Sequence, residues 1–337
     1  MTKIVFEAGA NHTGFESAKN LIDIAAEAGG DCVKFQMLDP DVLMRDANAP
    51  FDYQRLDKNG LVVSNTRPLK DILSERYLTR DEFRLLKIYA DDKGIEFFCT
   101  VLHVEDVEFL ESIGCQKIKI CSSDINYMDL LQACGGDRFE VHIDTGNATL
   151  TEISSAIDTL RGAFQTRIVI HHCPSGYPAI TPKINLKHIK TLSKTFGLPV
   201  AYSDHSPDMH MDIVAVAYGA AYVEKTITED KTQDGPEHLF SLEKDEAKEF
   251  VRAIHNVSTA LGTGIKTQDE VNFDGRMIGR RVASANTELL PGSLVMSDNV
   301  DFTRPAVYGA FAPDMDLYGK RVKRLIKKGE VIKRSDV

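Results

Sequence analysis

A chain of 337 residues, 43% hydrophobic and 27% charged, is long enough for about two domains and apolar enough to bury a full core. A net charge of −10 leaves no basic face for a phosphate backbone or an anionic membrane, which argues against nucleic acid and membranes as partners while allowing a small anionic substrate held by local lysines. No apolar run approaches the ~20 residues of a membrane span and no signal peptide precedes the first strand, so the expected compartment is cytoplasmic. The six cysteines, Cys32, Cys99, Cys115, Cys121, Cys134 and Cys173, mostly sit in apolar strand-like runs without Cys-x-x-Cys spacing and are expected to be reduced and structural.

In chain order, residues 3–8 are β-rich and lead into Gly9-Ala10-Asn11-His12-Thr13-Gly14. Ala18, Leu21, Ile22, Ala25 and Ala28 then recur at the three-to-four spacing of one buried helix face. The strand over 31–36 contains Lys34, a charge that is costly to bury unless it meets an anion. Residues 37–77 break the rhythm. They are polar, weakly periodic and carry Pro40, Pro50 and Pro68, so a lid over the active mouth is expected there. From Thr79 helices and strands alternate again: helix 80–93, strand 96–100, helix 104–113 and strand 117–120, which runs into Cys121-Ser122-Ser123-Asp124. A short helix at 128–133, a strand at 140–144 and a helix at 150–161 behind the capping-box pattern Thr149-Leu150-Thr151-Glu152 follow. A strand at 168–172 and a helix at 186–196 come next.

The stretch 200–238 holds the densest chemistry. A strand ends in Ser203-Asp204-His205, a helix spans 208–219, and a second strand ends in Glu224-Lys225-Thr226 ahead of Gly235-Pro236-Glu237-His238. A helix at 242–261 completes eight strand–helix repeats, which predicts a (β/α)8 TIM barrel over 1–262 with its active site at the C-terminal ends of the strands. A linker over 263–275 and a small β-rich module over 276–337, punctuated by glycine and proline, are expected to follow. The strand-end residues combine two lysines, several hydroxyls, carboxylates and His205, a set suited to clamping a phosphorylated anion and, through His205 with nearby carboxylates, a hard divalent metal. That set supports attack on an aldehyde by a phosphorylated carbon nucleophile.

The motifs Glu7-Ala8-Gly9-Ala10-Asn11-His12, Val33-Lys34-Phe35-Gln36, Lys119-Ile120-Cys121-Ser122, Thr145-Gly146, His172-Cys173 with Tyr177-Pro178, Tyr202-Ser203-Asp204-His205, Glu224-Lys225 and Gly235-Pro236 resemble, over nearly the whole chain, the sialic acid (N-acetylneuraminate) synthase family. The tail, with Arg281, Arg304-Pro305 and Gly319-Lys320, is similar to that family's antifreeze-like (SAF) domain. The resemblance implies a transferase that condenses phosphoenolpyruvate with an N-acylated mannosamine-type sugar, making a nine-carbon ulosonic acid and phosphate. It implies that Lys34, Thr100, Lys119, Ser122, Ser175, Tyr177 and Ser203 bind phosphoenolpyruvate, and that Asp124, Glu237 and Arg304 face the acceptor sugar. Glu7, Asp124, His205 and Glu237 are its candidate catalytic groups. His205 would ligate manganese or magnesium, and Arg304 would reach the partner's site in a domain-swapped homodimer.

Two positions depart from the family pattern. The family reads Glu-Lys-His after the eighth strand, but Thr226 replaces its second metal-ligating histidine, so the metal is held weakly, takes another group or is unnecessary. Asp144 replaces the serine of the family's Ser-Thr-Gly motif, setting a negative charge near the expected phosphate; it is protonated, turned away or paired with a lysine. The departures suggest a branch with a different acceptor, such as a legionaminic or pseudaminic acid precursor. Two other readings compete with a synthase: a non-catalytic sugar- or phosphate-binding relative that has lost its metal, and a Schiff-base aldolase using Lys34 or Lys119.

Overall fold

A computed structural model describes residues 1–162, 165–267 and 273–337. The chain divides into two compact units, Met1–Gly262 and Thr263–Val337. Its strands in sequence order are β1 (Lys3–Glu7), β2 (Cys32–Met37), β3 (Pro50–Leu56), β4 (Val62–Pro68), β5 (Glu96–Val101), β6 (Lys117–Ile120), β7 (Glu140–Asp144), β8 (Arg167–His172), β9 (Val200–Asp204), β10 (Tyr222–Thr226), β11 (Val282–Ala285) and β12 (Val300–Thr303). Eight of them close into a parallel barrel in the order β1-β10-β9-β8-β7-β6-β5-β2, the (β/α)8 architecture expected from the alternation.

Strand periodicity explains where the chemistry goes. Successive side chains point to opposite faces of a sheet. Ile4 and Phe6, Val33 and Phe35, Ile118 and Ile120, Val141 and Ile143, and Ile168 and Ile170 face outward and pack with helix residues such as Leu21, Leu86, Leu110, Ile153 and Phe250 into the main core. The inward positions carry a small apolar layer of Val5, Cys32, Phe98, Val169, Ala201 and Tyr222. Above that layer the inward positions become polar: Glu7, Lys34, Thr100, Lys119, Asp144, His171, Ser203 and Glu224. The return helices begin as their sequences predict. The Thr149 hydroxyl accepts from the Glu152 N–H while the Glu152 carboxylate accepts from the Thr149 N–H, and Thr79 with Glu82 repeats the arrangement.

The stretch 37–77 is more ordered than its composition suggests. It contains a helical turn, Pro40–Leu43, the antiparallel hairpin β3–β4 and a helix, Leu69–Ser74. Of the hairpin's two strands only Tyr53 is buried, so no sustained apolar face marks it in the sequence. In the second unit, β11 pairs antiparallel with β12, a strand that sequence patterning did not find. The β-rich runs 293–295, 321–322 and 330–332 make only single bridges, such as Leu294 with Arg321 and Ser284 with Val331. Ala283, Leu289, Val295, Val300, Phe311, Leu317, Val322, Ile326 and Ile332 form this unit's own core. Within the expected linker over 263–275, residues 268–272 lie outside the described residues, and Phe273 begins a helix that runs to Gly279. Among the described residues no helix is long and apolar enough to cross a membrane.

Candidate active site

At the C-terminal end of the barrel strands, β1, β2, β6, β7 and β10 converge five charges into one buried cluster. Lys34 pairs with the adjacent Glu7, donates to Thr100 Oγ1 at 3.2 Å and lies 3.5 Å from Glu224. Lys119 donates to both Glu224 oxygens at 2.7 and 2.8 Å, sits 3.0 Å from Asp144, and reaches Ser203 Oγ at 3.2 Å. Of the three states open to Asp144, the structure has it paired with Lys119, and its Oδ1 lies 3.3 Å from Ser203 Oγ. Burial opposes the Lys119 charge, but Asp144 and Glu224 more than reverse this and raise its pKa. Burial likewise opposes the Glu224 charge, yet Lys119 and Lys34 hold its carboxyl down to about 2. For Lys34 burial wins, and its ammonium is lowered below the ordinary lysine range.

Two glycines make the close approaches that build this end of the barrel. A Cβ on Gly9 would stand 2.5 Å from the Gln36 nitrogen and 2.7 Å from Glu7 Oε1, and one on Gly146 would stand 2.5 Å from the Cys173 carbonyl oxygen. Without a side chain the Glu7 loop can lie against β2, and Thr145-Gly146 against the end of β8. His12 is not part of the cluster. It is buried against Phe35, and burial with the nearby Arg76 lowers its pKa to about 3, so it is a neutral packing residue.

The remaining expected residues form a looser outer ring. Tyr177 packs against His205 with ring centres 4.7 Å apart and planes tilted by 35°, and Phe240 flanks the same histidine at 5.8 Å. Ser122 is half-buried, and Asp124 accepts from the Cys121 thiol at 3.0 Å. Ser175 is exposed, its hydroxyl donating to the Gly146 carbonyl at 3.0 Å. Glu237 accepts from Thr226 Oγ1 at 3.3 Å. The loop that carries Glu237 is gripped by the hairpin: Asp234 accepts from Tyr53 Oη at 2.6 Å and Asn65 Nδ2 at 3.2 Å, with Arg55 and Arg67 each 3.5 Å away. Arg304 is exposed in the second unit.

The implied metal does not fit the donors present. Among the described residues no three histidine, cysteine or carboxylate side chains converge as a metal site would require. His205 Nδ1 is buried and finds no hydrogen-bond partner among the described residues, while Thr226, in place of the second imidazole, hydrogen-bonds to Glu237.

Two histidines missed in the sequence extend the cluster downward. His171 Nδ1 lies 2.8 Å from Ser203 Oγ, its Nε2 lies 2.7 Å from His142 Nδ1, and His142 Nε2 lies 3.2 Å from Glu140, which also accepts from Tyr222 Oη at 2.6 Å. The available signal was the inward alternation of three polar residues, Glu140, His142 and Asp144, along β7, with Asp144 in register with His171 on β8.

The NeuB family's sequence profile matches residues 21–266. The chain belongs to the NeuB family. It is 33% identical to the N,N'-diacetyllegionaminic acid synthase of Legionella pneumophila over 98% of this chain and 92% of that protein. It is 30% identical to the pseudaminic acid synthase of Campylobacter jejuni serotype O:2 over 99% of this chain and 96% of that protein. Among solved structures it resembles the N-acetylneuraminic acid synthetase of Leptospira borgpetersenii in complex with citrate, with a TM-score of 0.70 and 29% identity, covering 80% of this chain and 88% of that one.

Proposed function

We infer that this NeuB-family chain is a nonulosonic acid synthase, which condenses phosphoenolpyruvate with an N-acylated mannosamine-type aldose and releases phosphate. The observation that carries this reading is the pair of buried lysines, Lys34 and Lys119, side by side with Thr100 and Ser203 at the closed end of a barrel mouth. Buried ammoniums with neutral donors beside them suit a ligand bearing both a phosphate and a carboxylate. Ser122, Ser175 and Tyr177 on the surrounding loops complete that subsite in this reading, and Asp124 and Glu237 face the acceptor. The diacetamido precursors of legionaminic and pseudaminic acids are the favoured acceptors, given the relatives at 33% and 30% identity.

In the reaction, the C2=C3 electron pair of phosphoenolpyruvate attacks the open-chain aldehyde carbon, forming the new C–C bond and leaving cationic character at C2. Water adds to C2, and the resulting tetrahedral centre collapses to the keto acid as the C2–O bond to phosphate breaks. Lys34 and Lys119 hold the anion in place. His205, whose buried Nδ1 is unpartnered among the described residues, supplies a hydrogen bond to the developing alkoxide. Glu7, at the base of the cluster, takes the proton from the attacking water. Among the described residues the donors form no three-ligand metal site, and these steps use the chain's own side chains. We also propose that residues 276–337 are an antifreeze-like module whose Arg304 serves the partner's site in a domain-swapped homodimer. Of the two departures that favour the non-catalytic reading, Thr226 and Asp144, the second loses its force because Asp144 is paired with Lys119.

The test is phosphate release from phosphoenolpyruvate with mass detection of the product, across acceptor sugars, with and without chelator. Acceptor-dependent release of a nine-carbon acid that persists under chelation is expected. Release abolished by chelator would make His205 a metal ligand and overturn the metal-free steps, and no release with any acceptor would favour a binding protein.

A further inference from the structure

The charges of the buried cluster do not suit the ligand proposed for it. Among its described residues Lys34 and Lys119 face three carboxylates, Glu7, Asp144 and Glu224, so the pocket is negative before a phosphorylated carboxylate arrives. When such an anion takes the Lys119 ammonium, Asp144 and Glu224 lose their shared counter-ion in a buried setting, which is costly unless positive charge replaces it. His171 lies 3.8 Å from both carboxylates.

Hydrogen bonding shows that this ring can take up a proton without moving a heavy atom. Glu140 is an acceptor only, held as a carboxylate at about 2 by the His142 hydrogen bond against its partial burial. His142 Nε2 therefore carries hydrogen, its Nδ1 accepts from His171 Nε2–H, and His171 Nδ1 accepts from the Ser203 hydroxyl. If His171 gains a proton at Nδ1, that N–H donates to Ser203 Oγ, and the Ser203 hydrogen turns to Asp144 Oδ1 at 3.3 Å. Every polar hydrogen keeps an acceptor in both states.

We propose that binding of phosphoenolpyruvate draws a proton from solvent onto the His171–Asp144 pair, replacing the positive charge that Lys119 gives to the ligand. The proposal rests on the phosphoenolpyruvate reading of the cluster. The ionisable groups facing His171 are Asp144 and His142 from β7, Lys119 from β6, Glu224 from β10 and Lys34 from β2. In the free protein burial, followed by Lys119 and the other cations, keeps His171 well below the usual histidine range. Binding raises its pKa, so affinity is full below the free-state value and weakens through the window up to the bound-state value.

Calorimetric titration with phosphoenolpyruvate at pH 8, above the second ionisation of a phosphate ester at about 6, in two buffers of different ionisation heat, counts the protons exchanged. The intact protein is expected to take up about one proton, and its Kd to weaken up to about tenfold per pH unit in the linked window. His171→Gln and Asp144→Asn should each bring the uptake near zero and flatten the Kd profile; the second variant keeps the test available if the first fails to fold. Binding without buffer-dependent heat, or uptake unchanged in both variants, overturns the proposal while leaving phosphoenolpyruvate as the ligand. No binding by the intact protein overturns the ligand assignment as well.

Discussion

Replacing Lys119 by methionine is expected to lower kcat/KM for phosphoenolpyruvate by about a hundred- to a thousandfold. The Lys119 side chain is almost completely buried and its ammonium reaches Glu224, Asp144 and Ser203 together, a position no surface lysine fills from solvent. Loss of one partner of a buried charge pair typically costs about 3–5 kcal/mol, and each ~1.4 kcal/mol of lost transition-state binding is a factor of ten. The same change leaves Asp144 and Glu224 uncompensated, so the fold also loses stability, and kinetics belong well below the variant's melting temperature. Steady-state rates across phosphoenolpyruvate concentrations, on protein whose circular dichroism matches the parent, are the check. A folded variant within tenfold of the parent would mean that Lys119 does not hold the ligand.

The second large effect concerns folding. Lys225 lies on the outward face of β10, next in sequence to Glu224, and is fully buried. It pairs with Asp204, donates to the carbonyls of Ser206 at 2.5 Å and Asp208 at 2.8 Å, and lies 3.7 Å from Asp212. One ammonium thus ties β10 to the loop that presents His205. Burial works against the Asp204 charge, but Lys225 overrides it and holds that carboxyl low; burial and the neighbouring Asp204 push Asp212 far up. Lys225→Met is therefore expected to destabilise the barrel by about 3–5 kcal/mol, with part recovered in the double variant Lys225→Met/Asp204→Asn, where the stranded carboxylate is gone. Urea unfolding at matched slopes reads both values. A loss below about 1 kcal/mol, the scale of an exposed ion pair, would contradict the account.

The barrel was legible in the sequence because its outward strand positions and helix faces repeat eight times with strong apolar contrast, as in Ile118 and Ile120 against Lys117 and Lys119. Lys34, Lys119 and Ser203 were legible for a related reason: a polar residue at an inward position of an apolar strand stands out. His142 and His171 also occupy inward positions, but one histidine in a strand reads as a packed core residue until the side chain that bonds it from the neighbouring strand is known. Asp144 shows the same limit, because its partner Lys119 lies on the preceding strand, 25 positions earlier in the chain. The hairpin β3–β4 hid for the opposite reason, since Tyr53 is the one buried residue of its two strands. Its hold on Asp234 is a tertiary contact that no local pattern announces.

In this reaction carbon, not phosphorus, is the site of bond making and breaking. Phosphoenolpyruvate labelled with heavy oxygen in the C2–O–P bridge, turned over with a diacetamido acceptor and resolved by mass, tests it most directly. The label is expected to leave with the phosphate. Label retained in the nine-carbon acid would place cleavage at phosphorus and contradict it.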